Sequence, residues 1–258
     1  MTTPKADSAS DYVLDPGSEV GGRTIAEWTE EFWIWAIGAP SSGNPFFDET
    51  GRFANQRNDG DVFFLAGTIS NIDPADPDPT PGFAERDITV CAGVPLLVPM
   101  INVVLSEPET PAADQAATLD ELLSPINALF LSIDGEPVPD LFSHYEQTEP
   151  FSLGELQDNT LGEGLPFFRD PREPVDPETG LPPPVAPGTR LEPAMGAGWY
   201  VMIDGLPPGE HTLEYGGGID GNGDGDLEDT ADTPIVEIHV NLQVVGDDPH
   251  SRAADYAF

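Results

Sequence analysis

From Thr24 to Ile37 the apolar residues Ile25, Trp28, Phe32 and Trp35 recur at the spacing that puts them on one face of a helix. Thr24-Ile25-Ala26-Glu27 has the form of a capping box, and Gly38 marks the end. Three of the four tryptophans, Trp28, Trp33 and Trp35, lie in this stretch, and such a stripe is expected to pack on a sheet. Elsewhere the pattern is that of short strands: Val62–Ile69, two apolar runs within Ile88–Leu105 interrupted at Gly93-Val94-Pro95 and at Pro99, and Leu131–Ile133 with Val138–Tyr145 about the turn dipeptide Asp134-Gly135. Trp199–Ile203, His211–Tyr215 after the Leu206-Pro207-Pro208-Gly209 turn, and the alternating Ile235–Val245 complete the set. A second short helix is predicted over Thr118–Phe130, with Thr118 and Glu121 as its capping box.

Many short strands with only two helices predict a mostly β fold, an antiparallel β-sandwich or jelly-roll carrying the Trp-rich helix and one further short helix. The expected organisation is a mobile N-terminal arm over residues 1–22, one domain over 23–250 and a tail over 251–258. Repeated prolines assign extended insertions to residues 71–84 and 171–194, the latter containing Pro182-Pro183-Pro184.

Composition sharpens the picture. The chain has 258 residues with 47 Asp and Glu against nine Lys and Arg, a net charge of −38. Such a surface repels phosphate backbones and anionic lipids, so nucleic acid is excluded as a partner and cations, basic proteins or neutral glycans are favoured. Thirteen Phe and four Trp are enough to build a core, so the charge does not signal disorder. Self-repulsion of this size calls for screening by salt or neutralisation by divalent cations. No stretch approaches the roughly 20 apolar residues of a membrane span, and membrane insertion is not expected. Cys91 is the only cysteine and sits in an apolar run, which predicts a buried, inert thiol.

The densest chemistry is Asp220-Gly221-Asn222-Gly223-Asp224-Gly225-Asp226-Leu227-Glu228-Asp229. Its Asp-x-Asn-x-Asp-Gly core resembles the first half of an EF-hand-type calcium loop, in which alternate side chains place hard oxygens about one point and Gly225 permits the reversal. Ala231 stands where the bidentate Glu of such loops belongs, so Asp229 or Asp232 would have to substitute. The expected Ca2+ ligands are Asp220, Asn222, Asp224, Asp226, Glu228, Asp229 and Asp232, and strands in place of helices about the loop make the ion structural. The terminal Asp255-Tyr256-Ala257-Phe258 resembles the ending of type I secretion substrates, and residues 1–17 lack the basic and apolar regions of a signal peptide.

Catalytic motifs are missing: there is no Gly-x-Ser-x-Gly elbow, His-Glu-x-x-His helix or phosphate-binding glycine loop. His211 and His239 lie on strands expected to pair, but strand alternation sends their rings to opposite faces, which disfavours a shared metal. The Trp-rich helix, the stretch from Asn44-Pro45 to Gly51, Phe63-Phe64-Leu65-Ala66-Gly67-Thr68 and Leu206-Pro207-Pro208-Gly209-Glu210-His211-Thr212-Leu213 resemble segments of a family of uncharacterised bacterial proteins. That resemblance implies no activity, and it marks the Pro-rich and Asp-rich stretches as insertions. The expectation is therefore a secreted or cell-surface, calcium-stabilised protein that binds or self-associates. The alternatives are a glycan-binding module using Trp199 or Tyr200, an extracellular hydrolase, and a salt-adapted cytosolic protein.

Overall fold

The computed structural model describes residues 8–68, 82–157, 169–177, 180, 182–225, 227 and 232–246. Its helices are α1 (Ala9–Tyr12), α2 (Ile25–Gly38) and α3 (Gln115–Leu123). Strands β1 (Glu19–Val20) and β2 (Arg23–Thr24) form a small ribbon. A four-stranded sheet has the order β3 (Phe63–Phe64), β5 (Leu96–Ser106), β9 (Ala194–Ile203), β8 (Tyr145–Gln147). A five-stranded sheet has the order β4 (Gly82–Cys91), β11 (Thr233–Val245), β10 (Gly209–Ile219), β6 (Ala128–Ile133), β7 (Glu136–Pro137).

Both larger sheets are mixed and not wholly antiparallel as expected, because β4 runs parallel to β11 and β3 parallel to β5. Alternation decides the layering. On β4, Ala84, Arg86, Ile88 and Val90 are buried while Phe83, Glu85, Asp87 and Thr89 are exposed. Their buried partners Leu213, Tyr215, Ile238, Val240 and Leu242 share one apolar core with Leu96, Val98, Met100, Val201 and Ile203 of the smaller sheet. The opposite face of that sheet presents Leu97, Tyr200 and Met202 to α2. The four-stranded sheet is thus covered on both sides, which is why β9 is buried almost throughout.

Helix α2 forms as its sequence predicts. Thr24 Oγ1 accepts from Glu27 N (3.2 Å), and Glu27 Oε2 accepts from Thr24 N (2.8 Å). Phe32 is fully buried, with Trp33, Trp35, Phe46, Phe64 and Tyr200 all within 6.0 Å by ring centroid. Trp33 Nε1 donates to Tyr200 Oη at 3.0 Å, which satisfies the one polar atom of each ring in the core.

Several boundaries differ from expectation. The second helix begins earlier, at Gln115, and ends at Leu123, because Thr118 is an interior residue whose Oγ1 donates back to Asp114 O (2.9 Å). Residues 128–130, expected as helix, pair with β10. Pro99 does not end β5; the strand passes through it with a register shift between Pro99 and Asn102. Residues 82–84, placed in an insertion, are strand, since their partners Val236–Ile238 supply a parallel ladder. Val185 and Leu191, within the stretch expected to pack poorly, are buried against the Trp cluster. Residues 8–22, assigned to an arm, are tied down through Leu14 N to Met202 O (2.9 Å) and a Val13–Ile203 bridge. Cys91 is half-buried, at the end of an edge strand, in place of the expected full burial.

Between α2 and β4 the chain from residue 39 to 68 has little regular structure and relies on side chains for its backbone bonds. Asn44 Nδ2 donates to Ala36 O (2.8 Å), and Asn58 bridges Ala54 O, Phe64 O and Phe64 N. At the centre lies Arg86, only 2% exposed. Its Nε donates to Asp48 O (2.9 Å) and its Nη2 to Pro45 O (3.1 Å) and Gly67 O (2.9 Å). Its Nη1 donates to Ala66 O, which also accepts from Tyr215 Oη. Burial lowers the Arg86 pKa, opposed by Tyr215 and Asp48, and the same burial pushes the Tyr215 hydroxyl up to about 12.

Replacing Arg86 with methionine would remove one donor from each of four carbonyls, of which Ala66 O and Pro45 O keep a second, while retaining most of the side-chain volume. Arg86→Met is expected to lower stability by more than about 3 kcal/mol in urea denaturation. A loss below about 1 kcal/mol would show that this guanidinium is not what holds residues 45–67 in place.

Candidate binding surface

The Asp220 loop follows directly from the end of β10. Asn127 anchors its first residue, donating from Nδ2 to Asp220 O (2.9 Å) and accepting from Asp220 N (2.7 Å). One oxygen of the Asp220 carboxylate accepts from Asn222 N (3.2 Å) and Gly223 N (2.5 Å), the other from Gly225 N (2.9 Å). These bonds, led by that from Gly225, hold the carboxyl below its ordinary pKa. Gly223 and Gly225 have φ of 78° and 95°, which a side chain would strain, so both glycines are required by the turn. Asn222 Oδ1 accepts from Asp224 N (2.9 Å), and Asp232 returns to the loop to accept from Gly221 N (3.0 Å). Asp226, Glu228 and Asp229 lie outside the described residues, as do Asp255, Tyr256, Ala257 and Phe258. Among the described residues no three acidic, histidine or cysteine side chains converge as a metal centre.

The aromatic residues proposed for a glycan are not on the surface. Trp199 is 7% exposed, with its ring edge-on to Tyr145 and Phe142, each at 5.5 Å. Tyr200 is fully buried under α2. The expectation failed because β9 is covered on both faces, so alternation along it does not expose either ring.

His211 and His239 do face opposite ways. His211 shares the inward face with Leu213 and Tyr215, and its side chain is 11% exposed. Its Nε2 donates to Pro207 O (2.9 Å) and its Nδ1 lies 2.8 Å from Asp134 Oδ2. Asp134 also accepts from Thr212 N (2.9 Å), so one imidazole joins the Asp134-Gly135 turn to the Pro207-Pro208 turn. His239 is on the outward face, bonded through Nε2 to Glu237 (2.8 Å) and flanked in register by Glu85 and Glu214.

That outward face of the five-stranded sheet carries what sequence reading missed. A shallow groove of about 600 Å³ crosses β4, β11 and β10. Two rows of exposed polar side chains line it, Asp87–Asn241–Thr212 and Thr89–Gln243–Glu210, each set by the strand register. The alternation of Asn241 and Gln243 with Val240, Leu242 and Val244 signals a solvent-facing row. Its alignment with Asp87 and Thr89 depends on the parallel β4–β11 pairing, for which the chain carries no local signal.

Two further ionisable groups lie away from this face, His144 buried and Glu109 half-buried. His144, 5% exposed, has its pKa lowered by burial against the pull of Asp140 and Asp15. The Glu109 carboxyl is pushed up to about 7 by burial, with Arg169 opposing. No helix among the described residues is long and apolar enough to cross a membrane. Compared with known proteins, the chain matches no family model, no curated protein and no solved structure.

Between the ordinary 4.5 and about 7, folded Glu109 keeps a proton that the unfolded chain has lost. Its contribution to stability therefore falls as pH rises through that window, and the cost of the buried charge is complete above it. Glu109→Gln is expected to stabilise the protein by about 1–2 kcal/mol at pH 8, allowing for screening at the exposed edge, and to make no difference at pH 4. Urea denaturation of both chains across that range checks the sign.

Proposed function

We propose that the protein is a secreted or cell-surface β-sandwich, stabilised by calcium, that works by binding through the outward face of its five-stranded sheet. The supporting observation is the polar groove, which lies on an otherwise solvent-facing sheet and falls in the size range of small-ligand sites, roughly 300–1,000 Å³. The sandwich reading follows from the apolar core shared by the inward faces of the two sheets.

Calcium enters through the Asp220 loop. Backbone N–H groups already orient the Asp220 carboxylate, and Asp224 and Asp232 are tied to the same loop through bonds from Asn222 Nδ2 and Gly221 N. A cation there would relieve repulsion among carboxylates that the loop otherwise leaves to solvent and salt. Residues Asp226, Glu228 and Asp229 would complete the oxygen set. Secretion belongs to the same reading, since extracellular fluids supply calcium at the level a loop of this kind needs.

The test is thermal unfolding of the full chain in calcium and in chelator, with mass measured by light scattering in parallel. Calcium is expected to raise Tm by several degrees, as binding to the folded state alone requires. Asp224→Ala should abolish that increment while leaving Tm in chelator within about 2 °C of the parent. Growth in mass with calcium would make self-association the form that binding takes. A Tm indifferent to calcium would remove the ion from the reading.

A further inference from the structure

The lining of the groove has a directional chemistry that composition alone does not carry. Asn241 Nδ2 donates to Asp87 Oδ1 (2.9 Å), and Gln243 Nε2 donates to Gly209 O (3.0 Å). A carboxylate and a carbonyl can only accept, so the amide ends that meet them are nitrogen, and the orientation of both amides follows from chemistry. Both amide N–H₂ groups are thereby turned to the protein, and among the described residues neither amide oxygen receives a hydrogen bond. Among the described residues the Glu210 carboxylate likewise has no donor, and that of Asp87 has only Asn241 Nδ2. No lysine or arginine occupies an outward position on β4, β11 or β10. Apart from the Thr89 and Thr212 hydroxyls, which can donate or accept, the groove therefore presents acceptors and negative charge.

Anions are repelled by such a surface, and a neutral polyol finds few donors for its own oxygens. A cation with several N–H groups satisfies both demands. Asp87 Oδ1 already accepts from Asn241, and an ammonium, which needs only single acceptors arranged about it, asks less of the remaining lone pairs than a guanidinium fork does. Asp87 on β4 and Glu210 on β10 flank β11, so their strands stand about 10 Å apart. The stems of Asn241 and Gln243 lie between these two charges. We propose that the groove binds a linear organic polycation of the diamine or polyamine class, one ammonium group at Asp87 and Asn241 Oδ1, another at Glu210 and Gln243 Oε1. This rests on the reading of the sheet face as the binding surface and adds the class of ligand.

The experiment is calorimetric titration of the full chain, in calcium, with putrescine, spermidine and a neutral oligosaccharide. A chain this acidic attracts any polycation loosely, so the control is a charge change elsewhere, Glu121→Gln on α3. Saturable one-to-one binding of spermidine is expected. Asp87→Asn and Glu210→Gln should each weaken it at least tenfold, with Glu121→Gln changing it less than twofold, and all three variants should keep the parent's Tm. Equal weakening by all three variants, or no saturable binding, overturns the polycation site. If the oligosaccharide binds instead and Gln243→Ala removes it, the ligand class is wrong while the sheet face remains the binding surface. If neither ligand binds and no groove variant alters any titration, the binding surface fails as well.

Discussion

A guanidinium removed from water must find acceptors for its N–H groups and something to balance its charge, and Arg86 meets both needs with the irregular part of the chain. Its side chain points inward from an edge strand into the core, where a leucine would ordinarily sit. Four carbonyls converge on it, two from the Pro45–Asp48 turn and two from Ala66-Gly67. Asp48 lies beside it; burial pushes that carboxyl up, but bonds from Phe53 N and from Thr50 N and Oγ1 outweigh this and keep it ionised. The arrangement solves a specific problem. Residues 39–68 form almost no ladder of their own, yet they must close the gap between α2 and β4. One cation gathers their backbone dipoles and fixes them to the sheet.

Around this anchor the molecule divides its two faces sharply. The helix side is an aromatic layer in which Phe32 touches five rings, whose indole N–H groups and Tyr200 hydroxyl require partners. The far side of the five-stranded sheet carries Glu, Asp, Asn, Gln and Thr, with the Phe83 and His239 rings against each other among them. A net charge of −38 can be tolerated because the acidic residues of the strands point outward, with water and counterions between them. Among the described residues, Arg86, facing inward from β4, is the one buried lysine or arginine.

Helix α2 was readable in the chain because three signals agreed there: the capping box, the apolar period and the closing glycine. The Asp134-Gly135 turn was readable for a similar reason, since both residues adopt positive φ, as their types favour. What could not be read was whatever depended on distant pairing. Trp199 and Tyr200 look exposed only if β9 is assumed to have a solvent face, and nothing local reveals that α2 covers it. The groove was hidden in the same way, since Asp87 and Asn241 are separated by most of the chain and meet through a parallel register. Arg86 carries no motif at all. A lone arginine in an alternating strand reads as a surface residue until the burial of its neighbours shows which face it occupies.

The position of β11 sets the order in which the protein is completed. This strand lies between β4 and β10, yet it follows both in the chain. As synthesis proceeds from the N-terminus, β4 leaves the ribosome with an apolar inner face and an open ladder, and it waits for a partner until Thr233–Val245 has been made. The larger sheet therefore cannot close before Thr233–Val245 has been made, and its closure is a long-range event of the kind that folds slowly. Until then the acidic outer positions of β4 are its protection, because like charges along an unpaired strand keep nascent copies apart.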